Sequence, residues 1–210
     1  MDAAFDPDLP RCRWAGATGA RPDPAMVRYH DEEWGTPCQD DVELFERLAL
    51  ESFQAGLSWS TILHKREAFR AAFGGFDPRV VAGFDDADRA RLMADAGIVR
   101  NRQKIDATIG NAIAWLETGA AFGSMDRYFA SIVPARGPLP EATDVGGIPD
   151  RTPVSDALSA DLRRRGFRFV GSTIMYAFMQ SVGLVDDHVA GCFRYAGGSR
   201  LGSSERRLTS

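Results

Sequence analysis

This chain is poor in cysteine, in histidine and in strand-like text, and each scarcity narrows what it can be. Three cysteines among 210 residues are too few, and an odd number, for a disulfide framework, which points to a reducing, cytoplasmic setting. The opening MDAAFDPDLPRCRW has no basic stretch leading into an apolar one, so no secretory signal is expected. No uninterrupted apolar run approaches the length of a membrane span. Internal repeats and low-complexity arrays are missing, and β-branched alternation is almost absent, which argues against sheets. The net charge of −4 counts against broad, non-specific nucleic-acid binding, although a local basic patch stands at Arg163, Arg164, Arg165 and Arg168.

What is present reads as helix. With 44% hydrophobic and 26% charged residues, the composition is that of an ordinary globular chain, long enough for one domain or two small lobes. The stripe Leu44, Leu48, Glu51 predicts an amphipathic helix at about 40–53. Ser58 suits the N-cap of a second, carrying Ile62, Leu63, Phe69 and Phe73. Pro78 suits the first position of a short third. Further helices are expected at about 86–95, 101–117, 124–132, 155–165, 172–182 and 187–194. Residues 134–153 are rich in proline and glycine and read as a long connection. The expected organisation is all-α: a loose tail at 1–10, one helical domain at 11–195, and a second tail at 196–210.

Two of the three cysteines and two of the three histidines frame the chain. His188 and Cys192 are four apart, a spacing that puts both on one face if the segment is helical. Cys12 and His30 lie near the other end. Two thiolates and two imidazoles form a closed zinc set, which would clamp the N-terminal arm to the last helix. The ordinary alternative is four unrelated residues, since no C-x-x-C knuckle is present. Cys38 and His64 have no assigned role beyond structure.

Three further features could carry chemistry. Glu51 projects toward the apolar side of its own helix, where a carboxylate needs a partner or pays heavily in desolvation. The ordinary reading is a structural ion pair with a nearby Arg or Lys. Aromatic faces at Trp14, Tyr29, Trp34 and Trp59 fall around Glu51 and the Cys/His set and would suit a flat, cationic heterocycle, whereas Trp115 is expected in the core. The turn Gln54-Ala55-Gly56-Leu57 offers an apolar tip that could wedge into a base stack or simply serve as a core contact. Lastly, a helix ending at Gly166, a short link over Phe167–Gly171, and a new helix opened by Ser172 and Thr173 form a helix-hairpin-helix pattern within 162–189. With Arg168 and its neighbours alongside, backbone binding to DNA is the better reading.

The stretches RCRW, YHDEEWG, LFERLALESFQAGLSWSTIL, KREAFRAAF, AGIVRNRQKI, SDALSADLRRRGFRFVG and DHVAGC together resemble the DNA-3-methyladenine glycosylase I family of helix-hairpin-helix glycosylases, from about Arg11 to Phe193. The resemblance implies a monofunctional enzyme that flips N3-methylated adenine out of double-stranded alkylated DNA, hydrolyses its N-glycosidic bond and releases free 3-methyladenine. It implies a structural Zn2+ on Cys12, His30, His188 and Cys192, a pocket lined by Trp14, Tyr29 and Trp59, and Glu51 bonded to the polar edge of the base. It also implies Leu57, with Gln54 and Gly56, filling the gap in the duplex, and Gly171, Ser172 and Thr173 gripping phosphates. A monomer acting on chromosomal DNA in a bacterial cytoplasm is expected, without a membrane partner.

Two departures from the family pattern stand out. The spacing between Cys12 and His30 is expanded around ATGARPDPAM. Asp186 stands where the family more typically has Asn and where related glycosylases carry a catalytic Asp, so it is read either as a helix cap or as a water-activating carboxylate. No lysine lies within 162–189, which leaves a Schiff-base mechanism unsupported. The rival readings are a non-catalytic zinc-stabilised DNA-binding module and a glycosylase for another damaged base.

Overall fold

The computed structural model describes residues 6, 8–15, 22–134 and 147–195, so the tail expected at 196–210 lies outside the described residues, as does much of that expected at 1–10. Among the described residues there are helices and turns and no strand, which agrees with the all-α expectation.

The chain enters through α1 (Pro24–Arg28), which runs into a π-helical turn at Tyr29–Glu33. Sequence reading missed both, although Asp23 as N-cap followed by Pro24 is a readable start signal. The central helix is α2 (Asp41–Gln54), capped by Asp40 and buried from Leu44 to Phe53. Its C-terminal carbonyls would be orphaned at Gly56, but Lys104 donates to the carbonyl oxygens of Phe53 and Ala55 at 2.8 and 2.6 Å. The region from Ser58 to Phe73 divides into α3 (Trp59–His64) and α4 (Arg66–Ala72), the break falling at Lys65.

The short α5 (Pro78–Ala82) and α6 (Asp86–Ala94) then pack on the long α7 (Arg102–Phe122), which runs five residues beyond the expected end at 117 and stops at left-handed Gly123. Next come α8 (Met125–Ile132), α9 (Pro153–Arg164) and α10 (Ser172–Ser181), the last two packed on each other. Phe45, Phe53, Phe69, Phe73, Trp115, Phe129 and Phe178 fill the main core. A second, smaller apolar cluster gathers Cys12, Tyr29, Trp34, Val189 and Cys192, with Trp14, Trp59 and Ile148 against it.

The two chain ends meet through backbone contacts. Gly35 and Cys38 donate to the carbonyl oxygens of Gln180 and Val182, and Phe193 donates to that of Pro10. Gly183 has φ +70°, and a Cβ there would fall 2.5 Å from the Thr36–Pro37 backbone. Gly35 has φ +73°, and a Cβ there would lie 2.7 Å from the His188 ring. Both contacts therefore require glycine.

The helix expected at 187–194 does not form; the segment is a series of turns. Asp186 Oδ1 lies 3.3 Å from the His188 amide and 2.6 Å from its ring Nδ1. Gly191 sits at φ +92°, and tight turns run from Cys192 N to the Val189 carbonyl and from Tyr195 N to that of Cys192. A side chain competing for the local amides and a left-handed glycine replace the helical ladder.

Candidate active site and clamp

A cavity of about 450 Å³ opens between the π turn, the end of α2, the start of α3 and one face of α10. Trp14, Tyr29, Glu51 and Trp59 line it together, as do Gln54 and Thr173. Four of the residues singled out as a base pocket thus converge on one space. Tyr29 and Trp59 meet with ring centroids 5.1 Å apart, and Trp14 lies 6.2 Å from Tyr29. Trp34, Tyr176, Gln180 and Asp150 also line the space.

Glu51 is buried at the cavity wall and accepts no hydrogen bond from any described residue. Arg47, one turn earlier on α2, is committed elsewhere: its guanidinium bonds Glu43 at 2.6 Å, Glu33 at 2.8 Å and the Ser181 carbonyl at 3.0 Å. The structural ion pair open to Glu51 on sequence grounds is therefore not made. Burial pushes the Glu51 carboxyl up to about 8 against the opposing pull of Arg47. Arg47 also lies 5.7 Å from the Tyr29 ring, so the buried network behind the cavity fixes one of its aromatic walls.

The π turn explains how neighbours in sequence serve different sites. Trp34 N bonds the Tyr29 carbonyl at 2.8 Å, a wider ring than an α-helix closes. Tyr29 faces the cavity, while His30 turns to the clamp. There, ligand atoms of Cys12, His30 and Cys192 all lie within 4.8 Å of one another and all three residues are buried. His188 Nε2 is buried with no hydrogen-bond partner, and its ring centroid is 5.1 Å from that of His30.

Both imidazoles are held through Nδ1, His30 by Asp31 at 2.8 Å and His188 by Asp186 at 2.6 Å, which leaves the unprotonated Nε2 of each as the nitrogen able to ligate a metal. Asp31 is itself fixed by Arg11 at 2.7 Å. The Cys192 thiol is drawn down by a hydrogen bond from Cys12 and by His30, while Cys12 is raised in consequence. Two thiols, two carboxylate-oriented imidazoles and an orphaned buried nitrogen suit a zinc ion. Asp186 is engaged with His188 and is not among the residues lining the cavity.

At the cavity rim the α2–α3 turn carries Leu57 outward, 39% exposed. Gly56 is left-handed there (φ +84°), and Gln54 Nε2 bonds the Leu57 carbonyl at 2.9 Å, which stiffens the tip. Between α9 and α10 the link is pinned from behind. Asn111 makes a reciprocal pair with the Arg168 backbone at 2.8 and 3.0 Å, and Ser52 bonds the Phe169 carbonyl at 3.0 Å. Phe169 is held at φ +55°. A Cβ on Gly171 would meet only Arg163, at an ordinary 3.5 Å. The Ser172 hydroxyl is spent on Asp156, and Thr173 reaches the cavity wall.

The missed lining residues differ in how readable they were. Tyr176 and Gln180 form an i, i+4 polar pair within the mostly apolar middle of α10, a visible signal. Ile148, Pro149 and Asp150 arrive from the proline-rich connection, and only tertiary packing brings them to the cavity.

Comparison with known proteins gives consistent matches. Residues 19–195 match the methyladenine glycosylase family. The DNA-3-methyladenine glycosylase 1 of Escherichia coli strain K12 is 48% identical over 189 residues, covering 90% of this chain and 98% of that protein. A crystal structure of 3-methyladenine DNA glycosylase I superposes with a TM-score of 0.82 at 46% identity, over 88% of this chain and 98% of the other. The Staphylococcus aureus 3-methyladenine DNA glycosylase I, studied for its recognition of 3-methyladenine, gives 0.78 at 37% identity, over 81% and 90%.

Proposed function

The chain belongs to the methyladenine glycosylase family, and on that premise we propose that it removes 3-methyladenine from alkylated DNA by hydrolysing the bond between base and sugar. The observation that carries this reading is Glu51: a buried carboxyl without a protein partner, set in a cavity walled by Trp14, Tyr29 and Trp59.

N3-methylation makes the attached base cationic. A positive, flat ring supplies the counter-charge that the protein withholds from Glu51, and the aromatic faces favour it further. Normal adenine is neutral and gains nothing from the charge. The same positive charge weakens the glycosidic bond, and the base departs neutral, so no strong general acid is required. What the protein must do is extract the nucleotide and hold the lesion tightly. A purely DNA-binding module has no use for a desolvated, unpartnered carboxyl in an aromatic cavity.

The substrate is read as duplex DNA. Leu57, braced by Gln54 and turned by Gly56, would fill the place of the extruded nucleotide. The α9–α10 link would approach the backbone as a helix-hairpin-helix, with Gly171 leaving room and Arg168 adding positive charge. Cys12, His30, His188 and Cys192 would hold a structural Zn2+. Held there, it would tie the arm carrying Trp14 and Tyr29 to the segment after α10 and would have a structural role only. The protein is read as acting as a monomer.

The test is to incubate the protein with methylated duplex DNA and identify the released bases by chromatography. Release of free 3-methyladenine, reduced at least about tenfold in Glu51→Gln, supports the reading. Intact duplex binding with no released base overturns it.

A further inference from the structure

Asp187 is buried, and neither the clamp nor the ring cage uses it. Its Oδ2 accepts from the Tyr176 hydroxyl at 2.6 Å and from Gln180 Nε2 at 2.7 Å. The two donors lie four apart on α10, and both line the cavity that holds Glu51. A carboxylate only accepts, so it dictates which end of the Gln180 amide it receives. The NH2 group must point back to Asp187, and the carbonyl oxygen is turned away. Among the described residues nothing donates to that oxygen.

The Gln180 main chain is also fixed, because its carbonyl accepts from Gly35 at 2.9 Å. An amide free to rotate would present either end to a ligand; here one N–H of the NH2 end is committed to Asp187, which fixes the flip and leaves the carbonyl oxygen at the opposite end without a partner among the described residues.

We propose that Asp187 is a positioning residue that locks Gln180 with its carbonyl oxygen toward the cavity, and that this oxygen selects bases by accepting from an N–H on their exocyclic edge. The inference rests on the glycosylase reading above and deepens it: the cavity would test for an amino-bearing base from α10 as well as from α2. A base with an oxygen at the same place would meet the lone pairs of Gln180 and be repelled, which is discrimination by a mismatched acceptor rather than by shape.

Free 3-methyladenine and free 3-methylhypoxanthine, which carries a carbonyl oxygen in place of the amino group, are the probes. Each is titrated against the protein by quenching of the cavity tryptophans. Wild-type protein is expected to favour 3-methyladenine, and Gln180→Met to narrow that preference by about tenfold. Asp187→Leu, which frees the amide to rotate, should narrow it in the same direction. Asp187→Asn, whose amide oxygen can still accept both bonds, should fall between it and the wild type. A merely structural role would lower both affinities equally. Equal loss for the two bases in Gln180→Met, or an unchanged preference, overturns the assignment. Wild-type protein that binds neither base and releases none from methylated DNA overturns the underlying glycosylase reading instead, an outcome visible before any variant is made.

Discussion

Arg47 and Glu51 stand one turn apart on α2, both buried, and they do not form an ion pair. Arg47 spends its guanidinium on Glu33, Glu43 and the Ser181 carbonyl, and Glu51 is left facing the cavity. The consequence is a carboxyl whose proton the folded state holds more tightly than the unfolded chain does, since burial moves it from 4.5 to about 8.

Stability should therefore depend on pH in a defined direction. Below about 4.5 both states hold the proton and Glu51 contributes no penalty. As pH rises toward 8 the unfolded chain releases the proton first, and folding loses up to about 1.4 kcal/mol per pH unit from this group. Glu51→Gln is neutral throughout. Relative to the wild type it should gain stability between pH 5 and 8.5, by a few kcal/mol in all. Urea unfolding of both proteins at pH 5.5 and 8.5 measures this, and a difference that does not change with pH would refute it.

Much of this site could be read from the sequence, because α2 obeys a simple rule. The Leu44–Leu48 stripe places Glu51 inward, and Ser58 caps the next helix just as its hydroxyl type suggests. Pro78 at a first helical position behaved likewise. The failures share a physical cause. Tyr29 and His30 lie in a π turn, whose extra residue shifts the phase of the faces, and no local pattern announces it. The segment after α10 satisfies helical spacing at His188 and Cys192, yet Asp186 captures the amide of His188 and Gly191 turns left-handed. Donors meet there through tertiary packing of two chain ends, not through a shared helix face.

The clamp predicts that metal removal acts on stability and on the cavity together. Trp14 packs on His30 at 5.3 Å and on Trp34 at 5.0 Å, so loosening Cys12 and His30 releases a wall of the base site. The purified protein should contain one zinc per chain. Chelation, Cys12→Ser or His188→Ala should lower the melting temperature and weaken binding of free 3-methyladenine. Protein without stoichiometric metal, or unchanged melting in both variants, would count against the clamp.

Asp186 offers a sharper distinction. As a water-activating carboxylate it would be indispensable, and Asp186→Asn would abolish excision. Bonded to the His188 ring and outside the cavity lining, it should act through that imidazole. An asparagine oxygen still accepts from Nδ1, so excision in Asp186→Asn should stay within about threefold of wild type. Asp186→Ala removes the acceptor and should lower metal affinity by roughly 10- to 100-fold. Zinc competition with a chromophoric chelator, read beside single-turnover excision, separates the two roles.

Leu57 should matter only when the base must leave a duplex. Its side chain is exposed on a braced turn and stands outside both apolar clusters, so truncation opens no core void. Leu57→Ala is therefore expected to leave thermal stability within about 0.5 kcal/mol of wild type. Binding of free 3-methyladenine should also persist, because Leu57 does not line the cavity. Excision from duplex DNA requires that unpaired, unstacked space be filled, and losing the wedge forfeits a few kcal/mol of that compensation at most. Excision should fall by about tenfold or more on duplex and much less on single-stranded methylated DNA, where little stacking opposes extrusion. Equal loss on both substrates would show that Leu57 serves the base site itself and not the opening of the helix.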